Sequence, residues 1–558
     1  MKIRLLILAC LMVVQGAIFG QLSVTAPPDD WFHLDKETDH LQGISTQKMY
    51  EFLKGKKSET VVVGVIDSGI DTKHEDLKAV MWVNTDEVAG NHLDDDKNGY
   101  VDDVQGWNFI GGKDGKDVAF DQLEVTRLYV KYRKKYKGAD FSKLSKKEKK
   151  EYQQYKKLEK EIQEKKEEMK GNAALYGGIL EAVQNLMKAI GKEDISKEDL
   201  DNFQSDDPQM LRAAAVLSNV LENGAELKEF KDQLKEAYDY YSNQLNYYYN
   251  PDYNPRSIVG DNYADSYQRD YGNNDVQGPD AMHGTHVAGI IGAIRNNGIG
   301  VNGIADNVRI MSVRTVPDGD ERDKDVANAI IYAVNNGASV INMSFGKGYA
   351  WDKDAVDKAV KYARKHDVLL VHAAGNSSQN NDETDNFPND QYRKAGWFKP
   401  KKADNWLEVG AISWQDGEEI PASFTNYGKQ NVDVFSPGVD IYSTVPGNKY
   451  KHLDGTSMAA PVVAGLAAVL RSYYPRLTAV QVKDVIMQSV EKLHVKVKKP
   501  GSDELVPFSE LSQTGGVVNG YNAVRLADKT LGKKKLKKGK GLKGGKGDNK
   551  NKSKVVIP

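Results

Sequence analysis

Three polar side chains in separate motifs have the types that nucleophilic catalysis by a serine requires. Ser457 lies in HLDGTSMAAPVVAGLAAVL, residues 452–470, at the start of a small, apolar stretch. A serine there either caps a buried helix or acts as a nucleophile, which also needs a base, an acid that orients the base, and donors for an oxyanion. Asp67, which ends VVVGVID, and His283, in MHGTHVAG, have the types of the acid and the base. We expect this chemistry if the fold brings the three together.

A fourth candidate, Asn376, ends the apolar run VLLVHAAGN, where its amide can donate to an oxyanion. Taken alone, Asp67 and Asn376 also suit turns beside glycine, and Ser457 also suits a helix N-cap. An exposed His283 at a helix start titrates near neutral pH and can act as a base, whereas we interpret His286 as a packed structural residue. The two histidines do not predict zinc, because the His-Glu-x-x-His pattern is absent.

The elements that must position these side chains alternate between apolar strands and helices. TVVVGVIDSG, residues 60–69, is an unbroken apolar run, which indicates a strand buried on both faces, as in a parallel sheet. From residue 281, predicted helices and strands alternate, at 283–294, 307–316, 324–336, 339–345, 352–366 and 368–376. Two further helices follow, one in the stretch 452–470 and one at 478–493. The pattern predicts an α/β fold with a doubly wound parallel sheet, whose ligand sites lie at the carboxyl ends of its strands.

The motifs VIDSGID, HGTHVAG, AAGN and GTSMAAPVVAG resemble, in this chain order, the four signature blocks of the subtilase (subtilisin-like serine peptidase, S8-type) family. The resemblance covers roughly residues 60–110 and 275–490. It implies a subtilisin-like three-layer fold and serine endopeptidase activity through an acyl-enzyme. The glutamate-using sedolisins fit less well, because the matching blocks contain Asp67, His283 and Asn376.

By this resemblance, Asp67 orients the base, His283 is the general base and then the general acid, and Ser457 is the nucleophile. Asn376 and the backbone N–H of Ser457 would form the oxyanion hole. The dipole of the helix that begins at Ser457 also favours negative charge there.

NMSFG, residues 342–346, resembles the substrate-binding edge strand of the same family. The resemblance implies that an extended peptide pairs with the backbone of Ser344, Phe345 and Gly346. Because such β-augmentation recognises the main chain, it tolerates many side chains in the substrate.

An acidic stretch, LDDDKNGYVDD at residues 93–103, matches the first half of a calcium-loop pattern. Oxygens at alternate positions can converge on one hard cation, while Gly99 permits the tight turn. The predicted ligands are Asp94, Asp96, Asn98, the carbonyl of Tyr100, and Asp102 or Asp103. The Glu expected at the last loop position is missing, and an acidic turn without metal is the alternative. Calcium-stabilised loops in this region are also common among subtilases, so we predict structural Ca²⁺.

The chain departs from compact subtilases between Asp67 and His283, which are 216 positions apart. We predict a helix-rich insertion with a Tyr/Asn-rich loop at residues 112–274. Within 141–170, a stripe of apolar residues predicts a helical hairpin with one apolar seam, formed by Tyr152, Tyr155, Leu158, Ile162 and Met169. A partner-docking arm is the alternative. We interpret residues 238–272 as an irregular loop packed on its host, with substrate contact as the alternative.

Both ends of the chain differ in character from its body. Residues 1–20 predict a secretory signal peptide, with lipidation at Cys10, the only cysteine, as a minor alternative. Residues 21–59 are predicted as an N-terminal extension without a separate inhibitory pro-domain. Residues 533–554 contain eleven Lys and one Asp, so with a net charge of −2 for the whole chain the remainder carries −12. We predict that the Lys/Gly-rich tail, 532–558, is disordered.

The predicted catalytic domain therefore consists of residues 60–111 and 275–531, interrupted by the insertion. The interpretation is an exported serine endopeptidase, periplasmic or extracellular, that acts on extended polypeptides and needs no cofactor for catalysis. A narrowly specific processing protease, or a binding or assembly protein that acts through the helical insertion, is the alternative. We expect no nucleic-acid partner and no transmembrane segment, and we make no prediction of oligomeric state.

Overall fold

The computed structural model describes residues 26–192, 194–224, 226–394 and 401–534. The predicted signal peptide, Cys10 and residues 535–558 of the predicted tail lie outside these ranges. The strands are β1 Val61–Asp67, β2 Gly106–Asn108, β3 Val308–Arg314, β4 Ala338–Met343, β5 Leu369–Ala373, β6 Trp406–Ile412, β7 Val434–Pro437, β8 Ile441–Val445, β9 Lys449–Leu453, β10 Glu491–Lys492, β11 Lys496–Lys498, β12 Leu505–Pro507 and β13 Gly516–Val517.

Helices precede, interrupt and follow these strands. They are α1 Lys36–Asp39, α2 Thr46–Leu53, α3 Glu124–Tyr136, α4 Lys146–Ile190, α5 Lys197–Asp201, α6 Pro208–Glu222, α7 Leu227–Asn243, α8 Arg256–Val259, α9 Met282–Gly292, α10 Asp323–Asn335, α11 Lys353–Lys365, α12 Thr456–Tyr473, α13 Ala479–Gln488 and α14 Gly520–Lys534. Within the described residues, no helix is both long enough and apolar enough to cross a membrane.

Nine strands form the central sheet, in the order β10-β13-β7-β6-β5-β4-β1-β3-β2. Every neighbouring pair is parallel except β10 with β13. All residues of β5 and β6 are buried, as expected for strands covered on both faces. Helices α9, α12, α13 and α14 share a core with one face, and α10 and α11 with the other. The predicted α/β, doubly wound, three-layer fold is confirmed.

One predicted helix is too long. The helix expected at 478–493 begins with a capping box between Thr478 and Gln481 but ends at Gln488. The next residues, Glu491–Lys492, instead pair antiparallel with β13 and extend the sheet. The pairing partner lies far along the chain, so local periodicity could not reveal this strand.

The segment before β1 is part of the main core. Trp31, Phe32, Ile44 and Met49 are fully buried there, in the same cluster as α12 and α14. The Trp31 indole N–H donates to the Val439 carbonyl at 3.2 Å. Residues 31–53 are thus held by apolar contacts with the catalytic sheet and its helices.

The long insertion leaves and rejoins the sheet at adjacent points. At the end of β2, the Asn108 N–H donates to the Asn273 carbonyl at 2.9 Å, and the Asn273 N–H donates back to the Asn108 carbonyl at 3.1 Å. The chain between them forms α3 to α8. Because its two ends are paired, the length of this segment adds little entropic cost to the rest of the fold.

Helix α4, 45 residues long, is the axis of the insertion. It begins with a capping box between Ser145 and Glu148 and ends at Gly191, whose φ of 76° is favoured by glycine. Its first half packs on α3 through a core near the catalytic domain, and its second half packs on α6 and α7 in a separate core. Four residues of the predicted seam are buried, namely Tyr155, Leu158, Ile162 and Met169, whereas Tyr152 is half-buried.

The interpretation of residues 238–272 as an irregular loop is wrong for its first third. Helix α7 continues to Asn243 and is followed by a π-helical turn, Gln244–Tyr248. The tyrosines here pack as helix residues: Tyr241 stacks on Tyr176 of α4, with ring centroids 5.4 Å apart. A segment rich in tyrosine resembles a loop in composition. Here the amphipathic tyrosine rings instead bury one face against α4.

Candidate active site

Asp67 and His283 form a hydrogen-bonded pair at the carboxyl end of β1. The His283 Nδ1 is 2.6 Å from Asp67 Oδ1, which also accepts the Ser68 N–H at 2.8 Å. A β-carbon at Gly284 would lie 2.2 Å from the Gly69 carbonyl oxygen, so only glycine allows α9 to approach the end of β1 this closely. The close approach places the second residue of α9 beside the strand's last carboxylate.

The environment of this pair suits a general base. Burial lowers the pKa of His283, but the charge of Asp67 and its hydrogen bond outweigh burial and raise the pKa above its usual 6.5. Because a carboxylate accepts from Nδ1, the proton of the neutral ring is on Nδ1 and Nε2 is free to accept another. Asp67 is 2% exposed while the His283 side chain is 36% exposed, so the acid is inside and the base is accessible.

Ser457 is the second residue of α12 and lies against the segment that follows β4. Its hydroxyl donates to the Ser344 carbonyl at 3.1 Å, and the Ser344 hydroxyl donates to the Ser457 carbonyl at 2.9 Å. The Asn342 amide donates to the Ser344 hydroxyl at 2.9 Å. Among the described residues, no hydrogen bond joins Ser457 to His283. Such catalytic hydrogen bonds often tighten only when substrate is bound.

Asn376 is oriented by the residue before the serine. Its Oδ1 accepts the Thr456 N–H at 2.9 Å and the Thr456 hydroxyl at 2.8 Å. The Nδ2 group therefore points toward Gly455. A β-carbon added to Gly455 would lie 3.4 Å from Nδ2 and 3.5 Å from the Ser457 backbone nitrogen. Two N–H donors thus border one small space, as an oxyanion hole requires.

The predicted substrate strand, Ser344–Gly346, continues directly from β4. Within the described ranges, the backbone N–H and C=O groups of Phe345 and Gly346 have no hydrogen-bond partner, and these groups are the ones that could pair with a peptide. A β-carbon at Gly346 would lie 2.7 Å from the Asn386 side chain, and the Phe345 ring meets His372 edge-on at 6.2 Å. The structure thus leaves this segment with an open edge.

Three supporting residues were missed in the sequence. Asn342 and Thr456 lie inside the motifs NMS and GTS, and Asn386 lies beyond AAGN. Asn342 and Thr456 hydrogen-bond the side chains of Ser344 and Asn376, and the Asn386 amide donates to the Ala374 carbonyl at 3.0 Å, contacts that only the folded structure reveals. The first two could have been suspected because polar residues within apolar strand and helix starts must find hydrogen-bond partners.

Several of the predicted calcium ligands accept hydrogen bonds from the backbone of their own loop. Asp94 accepts the N–H groups of Asn98 and Gly99, at 3.0 and 2.9 Å. Asp102 accepts those of Gly90 and His92, at 2.8 and 2.9 Å, and the Asn98 Oδ1 accepts the Tyr100 N–H at 2.8 Å. Of this predicted set, Asp94, Asp96, Asn98, Tyr100 and Asp102, only Asp96 belongs to a group of three acidic residues in the described part of the chain whose oxygens are mutually close, so the full set stays a prediction.

A different acidic cluster lies beneath the same loop. Carboxylate oxygens of Glu87, Asp96 and Asp103 are all within 4.8 Å of one another. Burial, together with the charge of Asp96, raises the pKa of Asp103 to about 6, although hydrogen bonds from Tyr332 and other side chains lower it. Three close oxygens of this kind suit a hard cation such as Ca²⁺. Glu87 was missed because it precedes the acidic motif.

Comparison with known proteins agrees with this geometry. The model of the Subtilase family matches residues 58–508. The chain is similar to the thermophilic serine proteinase of Bacillus sp. (strain AK1), with 37% identity over 50% of this chain and 59% of that protein. It is also similar to subtilisin DY of Bacillus licheniformis, with 39% identity over 38% of this chain and 71% of that protein.

Among solved structures, a protease from Pseudoalteromonas arctica PAMC 21717 aligns with 46% of this chain and 80% of its own, at 26% identity and a TM-score of 0.37. The chain spans 59% of the length of the Bacillus sp. proteinase.

Proposed function

The chain belongs to the subtilase family, whose members are serine endopeptidases, and from this premise we propose that it is an exported endopeptidase that cleaves extended polypeptides. The observation that carries the proposal is the 2.6 Å contact between the His283 and Asp67 side chains at the carboxyl end of β1. The predicted signal peptide supports export to a periplasm or the extracellular medium, and N-terminal sequencing of the mature protein would test it.

In the proposed mechanism, a bound peptide replaces the Ser457 hydroxyl as partner of the Ser344 carbonyl. His283 Nε2 then takes the hydroxyl proton as the Ser457 oxygen attacks the scissile carbonyl carbon, while Asp67 stabilises the imidazolium. The oxyanion accepts hydrogen bonds from Asn376 Nδ2 and the Ser457 backbone N–H. His283 passes its proton to the leaving amine, and water activated by the same imidazole hydrolyses the acyl-enzyme.

The open edge at Phe345 and Gly346 supports an extended substrate. A peptide that pairs with these backbone groups would be recognised mainly through its main chain, which favours broad sequence tolerance. We propose that the protein has no nucleic-acid partner. Peptide-library profiling would separate this proposal from its rival, because a narrowly specific processing protease would cleave few library members.

The decisive experiment compares wild-type protein with Ser457→Ala. Wild type should degrade an unstructured casein-type substrate and react covalently with a fluorophosphonate, and Ser457→Ala should do neither. An absence of both activities in the wild-type protein would contradict the proposal and favour a binding or assembly role.

We further propose that the cluster of Glu87, Asp96 and Asp103 holds a structural Ca²⁺ ion. The mutual distances of at most 4.8 Å support this, since one cation can contact all three oxygens. The ion would offset three negative charges under the acidic loop. It takes no part in the proposed reaction, which the triad and the oxyanion donors perform.

A further inference from the structure

A buried lysine follows the substrate strand immediately. Lys347 is 1% exposed, and its ammonium lies 2.7 Å from an Asp323 carboxylate oxygen and donates to the Glu321 carbonyl at 2.6 Å. A third partner comes from the insertion: Glu124 Oε2, in the first residue of α3, is 2.9 Å from the ammonium. The insertion therefore supplies part of the charge that keeps this ammonium buried at the end of the strand.

The same carboxylate is shared with a second buried cation. Glu124 Oε2 is also 2.9 Å from Arg127 Nη2, and Oε1 accepts from Arg127 Nε at 3.2 Å. Arg127 in turn donates to the carbonyls of Asp320 and Glu321, each at 3.0 Å. Glu124 thus lies between two cations, one on the insertion and one on the catalytic domain.

Alternate residues beyond Lys347 contact the insertion as well. The Tyr349 hydroxyl donates to a Glu161 carboxylate oxygen of α4 at 2.6 Å. The ammonium of Lys131, on α3, lies 3.9 Å from the centre of the Trp351 ring. The chain that leaves the substrate strand is therefore held by two helices of the insertion along its length.

We propose that the insertion is a working part of the peptide-binding cleft, in which Glu124 is a positioning residue that fixes the end of the substrate strand through Lys347. This inference rests on the proposed function, since the strand must bind peptide. A separate partner-docking arm would not need a carboxylate buried between cations of both parts. Removing that negative charge leaves Lys347 and Arg127 facing each other without their shared counter-ion, and breaking a buried network in this way displaces its members.

The test is Glu124→Gln, with Glu164→Gln as matched control. Glu164 is on α4, its side chain is 66% exposed, and its only ion pair within the described residues is with Lys160. Two rates are measured for each protein: kcat/KM for a hexapeptide amide, and the second-order rate of Ser457 labelling by a small fluorophosphonate. We expect Glu124→Gln to lower the peptide value about 10²-fold, since displacements near 1 Å have this effect, and to leave labelling unchanged. The control should match wild type in both.

Hydrogen exchange provides a readout that does not depend on activity. Glu124→Gln should speed exchange of the Lys347 amide, which donates to the Phe387 carbonyl at 2.9 Å, while the amides of β6 keep wild-type protection.

Equal losses of peptide hydrolysis and labelling in Glu124→Gln, or no loss of either, would overturn the inference. If wild-type protein neither cleaves nor is labelled, the proposed function fails. Unchanged exchange of the Lys347 amide in Glu124→Gln would then refute the positioning role of Glu124 by itself. Should Glu124→Gln not fold, Lys347→Met takes its place, and the same split between peptide and fluorophosphonate is expected.

Discussion

Replacing Asn376 by alanine tests the oxyanion hole with the fewest side effects. Its Oδ1 is fixed by two donors of Thr456, at 2.9 and 2.8 Å, so the direction of Nδ2 is set before substrate arrives. Such a preoriented donor strengthens its hydrogen bond as negative charge develops on the carbonyl oxygen. The substitution should therefore lower kcat and leave KM nearly unchanged.

The expected size follows from the number of donors. Two N–H groups border the space beside Gly455, where a β-carbon added to Gly455 would lie 3.4 Å from Asn376 Nδ2 and 3.5 Å from the Ser457 nitrogen. The substitution removes the first of these donors. Loss of one such donor lowers kcat by about 10²–10³-fold, or about 2.7–4 kcal/mol of transition-state stabilisation. The Ser457 N–H remains, so activity should be weak rather than absent.

Asn376→Asp is the matched control, because a carboxylate still accepts from both Thr456 donors but offers no N–H to the oxyanion. It should keep the melting temperature of wild type and be at least as inactive as Asn376→Ala. Rates are measured on an amide substrate, with active sites counted by fluorophosphonate titration. A wild-type kcat in the alanine variant, or full activity in the aspartate variant, would remove Asn376 from the site.

Four further outcomes are expected. Because the base must be neutral, kcat/KM should rise with pH through a His283 pKa above 6.5. Asp67→Asn should shift the inflection of this pH profile to lower pH and reduce kcat about 10⁴-fold. An inflection that does not move in Asp67→Asn would contradict the pairing. The ion pair between protonated His283 and Asp67 stabilises the folded state at acid pH. Its contribution to the free energy of unfolding should be lost as pH rises through the pKa of His283. EGTA should lower the melting temperature of wild type but not that of Asp96→Ala, and equal melts for wild type with and without EGTA would refute the calcium site. Trp31→Ala, which empties a fully buried position, should lower the free energy of unfolding by about 3–5 kcal/mol, measured by denaturant titration, and a loss below 1 kcal/mol would mean that the N-terminal segment is dispensable.

The fold was predictable wherever burial is uniform along an element. β1 and β5 are unbroken apolar runs, and helices α9 to α11 alternate with strands between them, so the parallel sheet follows from pattern alone. Asp67 and His283 were predictable for a related reason, since strand ends and helix starts at one edge of a parallel sheet converge. Their pairing at 2.6 Å across 216 positions needed the motif resemblance as well.

Other features depend on contacts between distant segments and leave no local signal. The three close carboxylates include Asp96, Glu87, which is nine positions earlier, and Asp103. The motif instead suggested alternate residues of one loop. Asp94 and Asp102 accept backbone N–H groups of the loop, and Glu87 accepts the N–H groups of Asp95 and Asp96 in the same way. Which carboxylates lie close together therefore depends on how the whole loop folds, and composition does not reveal it.

The paired ends of the insertion explain how Asp67 and His283 can be 216 positions apart and still be in contact. The hydrogen bonds between Asn108 and Asn273 close the insertion at its base, so its length does not strain the Asp67–His283 pair. Its contacts with the catalytic domain lie on residues 318–328, where Arg256 pairs with Asp325 and Asp261 with Lys324, and also on Lys347 and the residues that follow. Through Lys347 the insertion is coupled to the end of the strand that would bind peptide. Changes at this contact should alter how well an extended substrate binds, while the pH at which the base titrates stays the same.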